Sequence, residues 1–137
     1  MSRTPVRAAI SLLEKEGLVE SFKGRGVIVK EVSFRHFCQI LELFASMQLF
    51  VLDMAKTKEL AFDLEALGAY LEKQNEARDT GDFLSYYENT LMCMETILKA
   101  SGNEHMLQVL ELYRGKFLCR MVTFRKQFPI RSRNGLM

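Results

Sequence analysis

The residues best suited to chemistry stand at the very start of the chain. Arg3, Thr4 and Arg7 come after Ser2 and flank Pro5, and the run continues as Val6-Arg7-Ala8-Ala9-Ile10 into Leu12-Leu13-Glu14-Lys15-Glu16-Gly17. Two cations and a hydroxyl within five residues are suited to an anion, above all a phosphate backbone. The positioning element is a helix. Ser2 can cap its first turn, and Pro5 is tolerated there because its missing N–H has no intrahelical partner. Val6, Ala9, Ile10, Leu13 and then Leu18 fall on one side at the spacing of a buried face, which leaves Arg3, Thr4 and Arg7 on the other. Positive side chains at this end oppose the helix dipole. That cost is offset if a polyanion sits there, because phosphates favour both the arginines and the free amides.

A second cationic feature lies just beyond this helix. Leu18–Ser21 and Val27–Lys30 are short β-prone runs joined by Phe22-Lys23-Gly24-Arg25-Gly26. Two glycines around an arginine suit a tight hairpin that needs positive φ. On its own, such a hairpin is as well explained by solvated surface charge. Beside the Ser2–Arg7 stretch, Lys23 and Arg25 become candidates to lie along phosphates or to reach a minor groove, with Gly24 and Gly26 allowing the close approach.

Together these runs carry a family resemblance. Ser-Arg-Thr-Pro-Val-Arg, then Leu-Leu-Glu-Lys-Glu-Gly-Leu-Val, then Gly24-Arg25-Gly26-Val27-Ile28-Val29 resemble the second half of a GntR-type winged helix-turn-helix, in which the hairpin is the wing. The rest of the chain is similar to the helical effector domain of the FadR-like (FCD) branch, with Ala100-Ser101-Gly102-Asn103 as its clearest marker. The resemblance implies a partial winged-helix DNA-binding module over 1–32 and a truncated FCD-type effector-binding and dimerisation domain over 33–137. The expected fold class is mainly α: a recognition helix and β-hairpin wing followed by an incomplete antiparallel helical bundle.

Charge supports this division. The net charge is +2, but residues 1–30 carry six Lys/Arg against three Asp/Glu, 31–113 carry six against fourteen, and 114–137 carry seven against none. A basic leading module before an acidic middle is the pattern of a DNA reader joined to a sensor. For the basic tail, favourable cations at a helix C-terminus and extra phosphate contacts both stand as readings. With 137 residues, 48% hydrophobic, the chain can bury one modest core plus an appendage. No run of about 18 consecutive apolar residues occurs, so neither a membrane span nor a signal peptide is expected. Cys38, Cys93 and Cys119 are widely spaced and odd in number, the pattern of free buried thiols in a reducing cytoplasm.

Glu31-Val32-Ser33 reads as a linker, with Ser33 capping a helix through about Thr57. Its broad apolar band is Phe34, Phe37, Ile40, Leu41, Phe44, Met47, Phe50, Val51 and Met54. A second helix is expected from about Thr57 to Arg78, with Leu60, Leu64, Leu67, Tyr70 and Leu71 on one side. Asp79-Thr80-Gly81-Asp82 ends it, and Asp82 caps a third helix over Phe83–Lys99. Ser101-Gly102-Asn103 closes that one, and a fourth runs from Glu104 to about Gln127, stopped by Pro129. Residues 130–137 offer no packing face and are expected to fray.

FCD-type domains hold a divalent metal through one aspartate and three histidines. Counting back from Ala100-Ser101-Gly102-Asn103, the first aspartate and histidine positions fall on Thr90 and Met94. An arginine that commonly lines the family's effector pocket falls on Met47. A thioether and a neutral hydroxyl are poor ligands for such an ion, so no metal and no other cofactor is expected. Met47, Phe50, Met54, Tyr87 and Met94, with Asn89 or Thr90 as a polar contact, are candidates to line an effector cavity for an apolar or weakly polar small molecule. The same side chains also suit plain core packing, and both readings stand. His36 and His105 are isolated near helix ends, as surface or capping residues are. No nucleophile–base set stands out, so no enzyme is expected.

In the family, two helices precede the recognition helix and further helices close the effector bundle. Met1 stands where the family has a residue inside the turn, as it would if a start codon lay within a longer reading frame. Both modules then lack partners for apolar faces, which favours burial against a second copy. The sequence therefore points to a cytoplasmic, homodimeric, DNA-binding transcriptional regulator or a fragment of one. Its alternative is a dimerisation or apolar-effector-binding module that does not hold DNA.

Overall fold

The computed structural model describes residues 3–22, Gly24 and 26–127, with side chains through Phe124. It holds five helices and one two-stranded antiparallel sheet, so the mainly α class stands. Ser2, Lys23, Arg25, Pro129 and 130–137 lie outside the described residues.

The N-terminal module is α1 (Arg3–Lys15), β1 (Val19–Phe22) and β2 (Gly26–Val29). Gly17 ends α1 in a left-handed conformation, φ +74°. Its N–H donates to Glu14 O and that of Leu18 to Leu13 O, at 3.0 and 2.9 Å. This paired C-terminal motif satisfies carbonyls the helix leaves open, and it needs a residue that tolerates positive φ. The strands pair Val19 with Val29 and Phe22 with Gly26. Glu14 ties helix to sheet by accepting from Ser21 N at 3.1 Å and Ser21 Oγ at 2.6 Å.

Helix α2 (Phe34–Met54) starts where Ser33 Oγ accepts from His36 N. Its buried residues are Phe37, Ile40, Phe44, Met47 and Val51, a strict alternation of three and four. The broad band expected from the sequence thus resolves into one narrow core stripe. Phe34, Leu41 and Phe50 stay exposed, and Met54 is half-buried. By length and composition α2 is apolar enough to cross a membrane (mean hydropathy 1.4), and here its core stripe is buried among the other helices.

The second bundle helix departs from the expectation at its start. Instead of beginning near Thr57, α3 covers Leu64–Thr80, capped by Asp63, whose carboxylate accepts from Ala66 N at 2.9 Å. Leu60 and Phe62 pack against the core from an irregular segment. An aspartate that closes the first turn with its side chain competes with helix continuing through it. Gly81, φ +75°, ends α3, and Asp82 at once caps α4 (Phe83–Lys99) through Ser85 N. After α4 the cap residue is Ala100, while Gly102 takes the left-handed conformation. Asn103 then caps α5 (Glu104–Gln127), its Oδ1 accepting from His105 N and Met106 N.

Helix α4 is the centre, packed against α2, α3 and α5. At the heart of the core Phe117 meets Phe37, Phe44 and Tyr87, with ring centroids 5.8–6.4 Å apart. Leu91, Leu98 and Leu110 are fully enclosed beside them. Arg114 joins α5 to α4, donating to Glu95 at 3.4 Å and to Glu111 at 2.8 Å. It is therefore one member of the basic C-terminal stretch that is held by carboxylates.

Candidate nucleic-acid face and effector cavity

The first cationic stretch occupies the opening turns of α1. Arg3, Thr4, Pro5 and Arg7 are all exposed, and the first turn carries no acidic residue to offset the positive end of the helix. Gly24 is exposed in the hairpin turn at φ +77°, and Gly26, φ +97°, opens β2. Ser2, Lys23 and Arg25, the other members of the expected interface, lie outside the described residues. One expectation for α1 fails: none of its residues is buried, with Val6 45% and Leu13 38% exposed. The cause is what surrounds the helix. Among the described elements α1 packs only on β1, so its apolar side faces open space.

The turn after α1 touches the bundle. At Gly115 of α5 an added Cβ would lie 3.1 Å from Leu18 Cδ1, and at Gly17 it would meet the Lys116 side chain at the same distance. Farther along α5, a cleft of about 190 Å³ separates the β2–α2 linker (Val29 to Val32) from Cys119, Arg120 and Thr123.

A larger, open-mouthed cavity of about 400 Å³ lies between α2, α4 and α5, with Gln74 reaching in from α3. Phe34, Phe37 and Leu41 form one wall, Tyr86, Tyr87, Thr90 and Met94 another, and Phe117, Arg120, Met121 and Phe124 the third. Gln74 Nε2 donates to Thr90 Oγ1 at 2.6 Å, and Thr90 Oγ1 donates to Tyr86 O at 3.0 Å, so these polar groups satisfy one another. Arg120 Nε is buried and has no hydrogen-bond partner among the described residues.

Of the expected cavity residues, Tyr87, Thr90 and Met94 come together here. Met47, Phe50, Met54 and Asn89 do not. Met47 is in the α2 core stripe, whereas Phe50 points outward, 56% exposed. Met54 ends α2, beyond the cavity wall that the start of that helix supplies. Asn89 is buried off the cavity, its Nδ2 donating to Ser85 O at 2.8 Å, because adjacent helical residues point about 100° apart. Sequence reasoning misses the walls from α2 and α5. The phase of a single helix says which residues share its face, not which faces of distant helices meet.

Thr90 and Met94, the positions matched to a metal-binding aspartate and histidine, thus form part of an apolar wall. Among the described residues no cluster of three or more His, Cys, Asp or Glu is placed to hold a metal ion. His105 is exposed, but His36 departs from the surface expectation: its Nε2 is buried without a partner among the described residues, and its ring lies 6.4 Å from that of Tyr113. Cys38, Cys93 and Cys119 are free and half-buried, and burial raises the pKa of the Cys93 thiol.

No family model matches the chain, and no curated protein does. Among solved structures the chain is similar to Lar of Listeria monocytogenes, described by the words "Lar controls the expression of the Listeria monocytogenes agr system and mediates virulence". The TM-score is 0.65 at 20% identity, over 90% of this chain and 57% of that one. The chain thus spans little more than half the length of this neighbour, and the likeness is one of fold: a fold also found in a regulator of gene expression.

Proposed function

We propose that this chain is part of a DNA-binding transcriptional regulator of the GntR type, FadR-like (FCD) branch, with its helical bundle serving as a ligand-sensing and dimerisation domain. The observation that carries the reading is the exposed amino end of α1, where Arg3, Thr4 and Arg7 stand together with no acidic residue in the first turn. A helix end of that kind suits the major groove, with phosphates taken by the cations and favoured by the positive end of the helix. The hairpin, between whose strands the sequence carries Lys23, Gly24 and Arg25 before Gly26, is the wing in this reading. The fold shared with Lar, which controls the expression of another system, supports it. The regulator is read as cytoplasmic and non-enzymatic, acting without a bound metal, and the cavity between α2, α4 and α5 is its effector site.

One observation favours a second reading. The apolar side of α1 has no partner among the described elements, so the helix is supported only by the hairpin. A module in that state serves for dimerisation or for binding an apolar effector rather than for holding DNA specifically. Gel shifts over a range of salt, with this chain and with a form extended upstream, separate the two. Specific binding by either form supports the regulator, and binding restored only by the longer form assigns the second reading to this segment alone. If neither form prefers any sequence over random duplex, the regulator reading is wrong.

A further inference from the structure

We propose that Lys116 of α5 is a positioning residue for the DNA contact: it fixes the angle at which the bundle holds α1, and so where Arg3 and Arg7 fall, without touching DNA itself. The proposal rests on reading the amino end of α1 as the nucleic-acid face.

The two ends of α1 have different surroundings. The carboxyl end runs into the turn at Gly17 and Leu18, which lies against α5, whereas Arg3, Thr4 and Arg7 at the amino end are exposed. The helix has 13 residues, so at about 1.5 Å per residue its reading end stands about 20 Å from that seat. Over such a length a rotation of about 10° at the turn moves the arginines by about 3.5 Å, close to the rise of one base pair. Register on a duplex therefore depends on how firmly the turn is seated.

The seat is built around the Lys116 side chain. Its Cε and Nζ lie 3.1 and 3.3 Å from where a Cβ of Gly17 would be, so the lysine fills the space that a side chain at residue 17 would take. This sets the ammonium at the carboxyl end of α1, where the helix dipole is negative and favours a cation. Glu16 adds a full negative charge nearby, its Oε2 3.5 Å from the place of a Cβ at Gly115, the residue before Lys116. The Tyr113 ring holds the same ammonium from the bundle, with Nζ 5.9 Å from the ring centroid. Tyr113 in turn lies beside His36, whose amide is held by Ser33 at the start of α2. Arg114, two residues earlier, is held by Glu95 and Glu111, whereas no carboxylate pairs with Lys116 among the described residues. The Lys116 charge is left to the end of α1 and to the ring.

The test compares Lys116→Met, which keeps the reach of the side chain and removes its charge, with Lys116→Arg, which keeps the charge. In nitrogen-15 relaxation of the full chain, α1 and the hairpin should tumble with the bundle in the unaltered chain and in Lys116→Arg, and faster than the bundle in Lys116→Met. The thermal midpoint of the bundle should be the same in all three. On the duplex that the unaltered chain selects from a random library, Lys116→Met should lose affinity by at least about fivefold and Lys116→Arg by less than about twofold. The slope of log affinity against log salt should not change, because a phosphate contact would take about 0.9 off it and this residue makes none. Unchanged tumbling in Lys116→Met, unchanged affinity, or a slope lowered by one contact each overturns the positioning role. If the unaltered chain selects no duplex, the nucleic-acid reading fails and takes the positioning role with it. The relaxation comparison tells these failures apart, since faster tumbling in Lys116→Met still identifies Lys116 as the seat of the module.

Discussion

Leu18 and Gly115 meet where the N-terminal module rests on the bundle, with Leu18 packed close over the bare Cα of residue 115. A Cβ there would come within 3.1 Å of Leu18 Cδ1. The same turn is pinned from its own side by Gly17, whose left-handed conformation directs the chain from α1 into β1. Between the described elements of the two modules no other close packing of helix or strand occurs, so this turn and the 30–33 linker carry the junction.

Two substitutions at Gly115 should separate helix propensity from docking. Alanine gains about 0.5–1 kcal/mol of propensity in a helix interior and asks Leu18 to give by a few tenths of an ångström. Gly115→Ala is therefore expected to hold or raise the thermal midpoint. Gly115→Phe leaves Leu18 no room and should free the turn, seen as faster tryptic cleavage after Lys15. Equal cleavage rates for the two variants would mean that the contact does not hold the module.

Arg7→Ala tests the nucleic-acid face. In a form that binds DNA specifically, its loss should cost about 1–3 kcal/mol of binding if it reads a base edge, measured by titration at fixed salt. Because Arg7 is exposed, the thermal midpoint should stay within about 0.5 kcal/mol equivalent of the unaltered chain. A large drop in the midpoint would make the side chain structural.

Glu14 gives the tie between α1 and β1 a pH dependence. The hydrogen bonds from the Ser21 hydroxyl and amide stabilise its carboxylate, with a smaller contribution from Lys30, and lower its pKa below the ordinary 4.5. A lowered folded-state pKa means that the stabilisation is present above the unfolded value and is lost as pH falls through the folded one. The Ser21 amide resonance should therefore titrate with a midpoint below 4.5, and Glu14→Gln should abolish that transition. A midpoint at or above 4.5 would show that the tie is absent in solution.

How much of the fold and the site is legible in the sequence depends on whether the cause is local. The limits of α4 come from Asp82 and the Ala100–Asn103 turn, and the start of α2 from Ser33, all signals within three or four residues of what they control. The start of α3 is misplaced by periodicity because Leu60 continues the apolar spacing of Leu64 and Leu67, and only the cap at Asp63 shows that the helix starts later. In the cavity, Tyr87, Thr90 and Met94 are found from their shared position on one helix. Arg120 reads in the sequence as one cation in a basic tail, since only the packing of α5 against α2 and α4 separates it from Arg114.

The sequence leaves open whether the methionines and aromatics form a cavity or plain core, and two kinds of truncation distinguish these roles. Met47 belongs to the core stripe of α2, and Leu91 is fully enclosed at 0% exposure. Met47→Ala and Leu91→Ala should each cost roughly 2–5 kcal/mol in denaturant unfolding, because the surrounding helices close only partly over the lost volume. Met94 borders space that is already empty, so Met94→Ala creates less new void and should cost under about 2 kcal/mol. Its effect belongs on ligand binding instead: the affinity for an apolar probe such as 1-octanol should fall in Met94→Ala and remain near that of the unaltered chain in a Met47→Ala protein that stays folded. If Met94→Ala proves as destabilising as Leu91→Ala and leaves binding unchanged, Met94 is core packing and the cavity is not an effector site.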